Sequence, residues 1–94
     1  MELHEATLGD IAERLRELLH IDRATTSGDA LLKTAHDWEA MGRTGDAARI
    51  WVEVLRQGKS QRLANRRLRR ALAARDVHCS VRFITPQSIA RCGR

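Results

Sequence analysis

The stretch EAMGRTGDAARIWVEVL, residues 39–55, contains the end of one helical pattern and the beginning of another. Gly42 follows the last apolar residue of the first pattern, and glycine readily adopts the left-handed backbone that ends many helices. Thr44 or Asp46 can cap the second helix, because short polar side chains accept hydrogen bonds from the free amides of a first turn. Only a few residues separate the two patterns, so the helices should be antiparallel neighbours. The stretch predicts a helical hairpin.

The hairpin is predicted to cover residues 29–57, with Ser27 or Asp29 as its first cap and Gly58 after its end. Apolar residues recur at helical spacing along both arms. They are Leu31, Ala35 and Trp38 in the first arm, and Ala47, Ile50, Trp51, Val54 and Leu55 in the second. Because the two tryptophans lie on facing arms, we expect both to be mostly buried in one core.

Helices are also predicted on either side of the hairpin. An acidic helix over residues 7–21 begins at Thr7, which forms a weak capping box with Asp10. Its apolar stripe consists of Leu8, Ile11, Leu15, Leu18 and Leu19. An arginine-rich helix over residues 60–75 has Ser60 as its expected N-cap.

The tail, residues 77–94, has no settled prediction. Apolar and polar residues alternate over 77–83, which is typical of a short strand, and Thr85 with Pro86 can begin a final helical turn. The whole chain, 1–94, is therefore predicted to be one all-α domain: four helices built round a helical hairpin, with an irregular or short-strand tail. The predicted core residues are Leu15, Leu31, Trp38, Trp51, Leu55 and Leu68.

Charge is unevenly distributed along the chain. The 94 residues carry a net charge of +5, but residues 1–46 alone carry −5 and residues 47–94 carry +10. No acidic residue lies between Glu53 and Asp76. This asymmetry favours a polyanionic partner for the basic half, although a solvated helix face is an alternative interpretation.

The arginine-rich helix is amphipathic. At about 100° per residue, one arc carries a thin apolar seam and the opposite arc carries arginines. The seam consists of Ala64, Leu68, Ala71 and Leu72, and the arginines are Arg62, Arg66, Arg69 and Arg70. Guanidinium groups bind phosphates and can read guanine edges in pairs of hydrogen bonds. The predicted nucleic-acid-binding residues are therefore Lys59, Arg62, Arg66, Arg67, Arg69 and Arg70.

Catalytic, metal and membrane patterns are missing from the sequence. No nucleophile-base order, glycine-rich phosphate loop, CxxC or HxxxH spacing occurs, and the adjacent His78 and Cys79 would need distant ligands to hold zinc. We therefore expect no enzyme, no metal and no cofactor. Asp37 and Glu39 are expected to face water. Cys79 and Cys92 are expected to be free thiols. No apolar run approaches the length of a membrane span, and we expect a cytoplasmic protein.

The hairpin and the basic segment after it resemble the PerC family of small transcriptional activators and the ANR family of negative regulators. The matching residues are Ala35, Trp38, Glu39, Gly42, Ala47, Ala48, Trp51, Val54 and Leu55, followed by Asn65, Arg66 and Arg67. The similarity covers about residues 30–75. It implies a small bacterial or phage regulator of gene expression that acts on DNA or holds another regulatory protein. Tetratricopeptide repeats also place a tryptophan four residues before a glycine.

Three hypotheses stay open from the sequence. The first is a transcriptional regulator that binds DNA through the arginine-rich helix. The second is an adaptor or anti-activator that binds an acidic or regulatory protein through the hairpin groove and the acidic first helix, with Glu13 and Glu17 as partner-binding residues. The third is a helical homodimer whose arginine-rich helix only faces solvent.

Overall fold

The computed structural model describes residues 2–24 and 30–75 and the single positions 77, 84 and 89. Its two continuous described ranges contain four helices in the order α1 (Glu2–Leu19), α2 (Ala30–Ala40), α3 (Thr44–Arg56) and α4 (Gln61–Ala74). No strand occurs in the part of the chain that the structure describes. The predicted all-α fold class, with four helices round a hairpin, is confirmed. None of the described helices is long and apolar enough to cross a membrane.

The first helix is longer than the sequence pattern predicted. It begins at Glu2, so Thr7 lies inside α1 and is not its cap. The helix ends near the predicted position: His20 adopts a left-handed backbone with φ of 56°, and the next residue's amide donates to the Arg16 carbonyl at 3.0 Å.

Three residues connect α2 to α3, as the short predicted link requires. Gly42 adopts φ of 80°, and the Arg43 amide donates to the Trp38 carbonyl at 2.8 Å, which closes the turn. The predicted caps of α3 are wrong. Arg43 occupies the N-cap position without a side-chain bond, and Asp46 pairs instead with the Arg43 guanidinium at 2.8 Å. The predicted caps of α2, Ser27 and Asp29, lie outside the described residues.

The central helix is α3, which contacts each of the other three. Eight of its 13 residues are buried, seven apolar residues and Glu53, so its apolar face is wider than the predicted stripe. Val52, about 60° round the helix from Leu55, is also buried, and α1, α2 and α4 all contact α3. Five of the six predicted core residues are buried: Leu15, Leu31, Trp51, Leu55 and Leu68.

The sixth predicted core residue, Trp38, is only half-buried. It lies in the last turn of α2, next to the connection, and packs against the edge of the core. The Arg43 guanidinium carbon is 4.7 Å from the centre of its ring. Trp38 therefore packs against the core as expected, but it is less completely buried than Trp51.

The last helix follows two left-handed residues. Gly58 adopts φ of 75° after α3, and Ser60 adopts φ of 48° at the N-cap of α4. Ser60 makes no side-chain cap bond, contrary to prediction, because its left-handed backbone differs from the extended backbone of a capping serine. The buried seam of α4 consists of Ala64, Asn65, Leu68 and Leu72.

Most of the tail lies outside the described residues. That includes the predicted strand after Val77, the predicted turn at Thr85 and Pro86, and both cysteines, Cys79 and Cys92. The three described positions, Val77, Ile84 and Ile89, are buried and belong to the core.

Candidate functional site

The outer face of α4 carries a row of exposed arginines. Arg62, Arg66 and Arg70 are spaced four residues apart, so their positions rise by about 6 Å each and span about 12 Å along the helix. Among the described residues, no ion pair or hydrogen bond joins any of these three side chains to another. Lys59 is exposed just before the helix. We call Lys59, Arg62, Arg66 and Arg70 the basic row.

Two of the six predicted nucleic-acid-binding residues, Arg67 and Arg69, do not belong to this row. Arg67 lies about 100° further round the helix than Arg66 and faces the hairpin. Its Nη1 is 3.3 Å from Glu39 Oε1, and its guanidinium carbon is 6.0 Å from the centre of the Trp51 ring. Arg69 is half-buried, with its Nε enclosed. The structure therefore brings four of the six residues to the open surface and holds Arg67 against the protein.

Glu39 joins three helices, contrary to the expectation that it faces water. The indole Nε1 of Trp51 on α3 donates to Glu39 Oε2 on α2 at 3.0 Å, and Arg67 on α4 pairs with the other carboxylate oxygen. His36 meets the Trp51 ring edge-on, with ring centres 5.3 Å apart. One signal for this cluster existed in the sequence, since a buried tryptophan needs an acceptor for its N–H.

The two acidic residues of α1 that the sequence predicts for partner binding have different surroundings. Glu17 is exposed and pairs with Arg14 at 3.1 Å. Glu13 accepts hydrogen bonds from Arg16 at 2.6 Å and from Arg23 at 2.9 Å. Arg16 is buried, with only 8% of its side chain exposed, so Glu13 stabilises an interior charge. Of the two, Glu17 is the side chain that a partner can reach without disturbing the fold.

A buried charge cluster that sequence reasoning missed links α1 to α3. Arg16 Nη2 lies 3.8 Å from Glu53 Oε1, and Glu53 also accepts hydrogen bonds from Arg56 Nε at 2.9 Å and from Gln57 Nε2 at 3.3 Å. Burial raises the pKa of the Glu53 carboxyl, but the hydrogen bonds and charge of Arg56, with Gln57 and Arg16, outweigh it. The pKa of Glu53 therefore lies below its ordinary value of 4.5.

The basic row and the buried clusters have separate roles. Of the carboxylates, Glu53 is buried and Glu39 is half-buried, and of the arginines they pair with, Arg56 is itself exposed. In contrast, three exposed arginines have no ion-pair partner among the described residues: Arg62, Arg66 and Arg70. Guanidinium groups arranged in this way can bind a series of phosphates, each through charge-assisted hydrogen bonds.

Comparison with protein-family models, curated proteins and solved structures gave no match. The resemblance to the PerC and ANR regulators therefore stays a prediction. Function has to be inferred from the side chains described above.

Proposed function

We propose that this protein is a small, non-enzymatic, cytoplasmic regulator of transcription that binds DNA through α4. The observation that carries the proposal is the row of Arg62, Arg66 and Arg70, which have no ion-pair partner among the described residues. If α4 had only a structural role, we would expect acidic side chains four residues from these arginines, because arginines at that spacing repel one another. An anionic partner removes that repulsion.

The dimensions of the basic row suit duplex DNA. An α-helix with its side chains is about 10–12 Å in diameter and fits the major groove, which is about 12 Å wide. The row from Arg62 to Arg70 extends about 12 Å along the helix axis. The buried seam fixes α4 on α3, so its guanidinium groups are presented from a rigid element. Phosphate contacts of this kind give affinity without much sequence preference, unless one arginine also reaches a guanine edge.

The charge distribution favours one orientation of the protein as it approaches DNA. Residues 1–46 carry −5 and residues 47–94 carry +10, so the acidic half is repelled by the polyanion that attracts the basic half. The same proposal includes a relationship to PerC-like and ANR-like regulators, which the hairpin residues suggest.

A protein-binding adaptor or anti-activator without nucleic-acid binding is the second candidate, and one observation favours it. Met41 is 61% exposed at the tip of the hairpin and is the one large hydrophobic side chain among the described residues with such exposure. Half-buried Trp38 lies in the adjacent helical turn. An apolar tip of this kind, with exposed Glu17 on α1, can contact a regulatory protein.

The two candidates differ in a capture experiment from a bacterial lysate, run with and without nuclease. DNA binding predicts that nucleic acid is recovered by the wild type and is lost from an Arg62→Ala/Arg66→Ala variant. A matched control, Arg14→Ala/Lys33→Ala, removes the same charge from α1 and α2 and should retain nucleic acid. A protein that stays bound after nuclease treatment, with no nucleic acid in the untreated sample, would instead support the adaptor.

A further inference from the structure

A cavity of about 300 Å³ lies where the C-terminal ends of α1 and α4 meet the start of α3. Its apolar walls are formed by Leu19, Ala48, Trp51 and Ala71. Small-molecule sites have volumes from about 300 Å³ upward and combine apolar walls with a few polar groups. This cavity lies on the side of α4 that faces the hairpin, away from Arg62 and Arg66.

The polar groups of the cavity give it a positive charge. Of the residues that the structure describes, Arg67, Arg70 and Arg75 line it together with a single carboxylate, that of Glu39. Glu39 is already engaged by Trp51 Nε1 and by Arg67 Nη1. The charge is therefore positive even after Glu39 is counted, and an uncharged ligand would leave it without compensation.

Arg67 and the start of α3 form opposite walls of this cavity. The Nε of Arg67 is enclosed below the accessible surface, so it is the positive charge of this guanidinium group that acts on a ligand in the cavity. At the opposite wall, Thr44 and Gly45 form the first turn of α3, whose amides no side-chain cap occupies. The charge of the lining arginines and this helix N-terminus together favour an acidic group inside the cavity.

We propose that this cavity binds a small amphipathic carboxylate. Its compact apolar body packs against Ala48, Trp51 and Ala71, and its carboxylate accepts hydrogen bonds from Arg67 and from Arg70 at the mouth. The apolar walls distinguish such a ligand from inorganic phosphate, and the guanidinium groups distinguish it from a neutral compound. The site shares only Arg70 with the basic row, so the proposal does not depend on DNA binding.

The test uses naphthoate as the probe and naphthamide and inorganic phosphate as comparisons. The readout is the indole N–H signal of Trp51 in a proton–nitrogen NMR spectrum, identified by its presence in Trp38→Phe. We expect naphthoate to shift this signal with a Kd of about 0.1–1 mM, from the ligand efficiency of small molecules. Naphthamide should bind at least about 10-fold more weakly, because it lacks the charge. Phosphate should leave the signal unmoved.

Two pairs of variants locate the binding. Ala71→Leu fills the cavity and should weaken naphthoate binding, whereas Ala73→Leu, on the exposed face of α4, should not. Arg70→Gln should weaken it about 2- to 5-fold, as for an exposed ion pair, and Arg14→Gln on α1 should have no effect. If Ala71→Leu does not fold, the comparison of Arg70→Gln with Arg14→Gln decides the outcome.

Three results would overturn the proposal. One is an unmoved Trp51 signal at millimolar naphthoate. Another is equal binding of naphthoate and either comparison compound, since the cavity would then recognise only shape or only charge. The last is equal weakening by Arg70→Gln and Arg14→Gln, which would show that naphthoate binds through overall charge outside the cavity.

Discussion

The indole N–H of Trp51 donates a hydrogen bond to Glu39 at 3.0 Å, and this bond joins the buried centre of α3 to the last turn of α2. Glu39 also pairs with Arg67, so the same carboxylate connects the hairpin to α4. The arginine-rich helix is thus held by a charged contact as well as by its apolar seam. That contact turns Arg67 inward and leaves Arg62, Arg66 and Arg70 on the outer face.

Removal of the Glu39 carboxylate should destabilise the fold. Glu39→Ala leaves the buried Trp51 N–H without an acceptor, which should cost about 1–3 kcal/mol in the free energy of unfolding. Glu39→Gln keeps an acceptor oxygen and should cost less. Asp37→Ala, which removes an exposed pair with Lys33, should cost about 0.5 kcal/mol or less. Chemical denaturation measures all three, and an equal loss for Glu39→Ala and Asp37→Ala would contradict the role of Glu39.

The two tryptophans should contribute unequally to stability. Trp51 is 1% exposed, and Trp51→Ala should lower the free energy of unfolding by about 3–5 kcal/mol. Trp38 is half-buried, so Trp38→Ala should cost clearly less. Thermal and chemical denaturation of both variants checks this order. If Trp51→Ala melted like the parent protein, the hairpin core described above would be wrong.

Charge reversal on α1 should separate a structural glutamate from an exposed one. Glu13→Lys places a positive charge beside buried Arg16 and should destabilise the protein, because a buried charge is costly without its partner. Glu17→Lys breaks only an exposed pair and should change stability by about 1 kcal/mol or less. Unfolding curves distinguish the two, and equal stabilities would contradict the structural role of Glu13. Glu17→Lys is therefore the suitable variant for testing an adaptor.

Acid should destabilise the protein through Glu53. The pKa of this carboxyl is lower in the folded protein than its ordinary value of 4.5, so the folded state binds its proton less readily than the unfolded state. Its contribution to stability is complete above pH 4.5 and decreases as the pH falls through the lowered pKa. Glu53→Gln should therefore show a smaller loss of stability between about pH 6 and about pH 3 than the wild type.

A matched control for this pH dependence is Glu17→Gln. Glu17 is 66% exposed on its side chain, and its replacement should leave the pH profile of unfolding close to that of the wild type. Identical profiles for Glu53→Gln and the wild type would show that the Arg16–Glu53–Arg56 cluster does not contribute to acid sensitivity.

Local patterns predicted the helices and the hairpin well. The apolar spacing of Leu31, Trp51 and Leu68 depends on the 3.6-residue period alone, and Gly42 ends α2 because of its own backbone freedom. These features need no information about neighbouring helices. The helix caps were less predictable, since Asp46 had Arg43 as a competing partner and Ser60 adopts a left-handed backbone.

Charged side chains were harder to predict because their roles depend on how the helices pack. Arg16 and Glu53 are far apart in the sequence, and each resembles an ordinary solvated helix charge. Only the packing of α1 on α3 brings them to 3.8 Å. The orientation of Arg67 also depends on packing. The run of arginines indicates a basic helix, but only the packing of α4 beside Glu39 shows that Arg67 faces inward.

The central claim is DNA binding by the basic row, and its most direct test is fluorescence anisotropy of labelled duplex DNA across a salt series. Each phosphate contact contributes a log–log slope of about −0.9, so contacts from Lys59, Arg62, Arg66 and Arg70 predict a slope of about −3 to −4. Arg62→Ala/Arg66→Ala should make that slope less steep by about 2 with unchanged helical content, since both residues lie outside the buried seam. Arg14→Ala/Lys33→Ala should retain the wild-type slope. No binding by the wild type at low salt, or the same change of slope in both double variants, would contradict the claim.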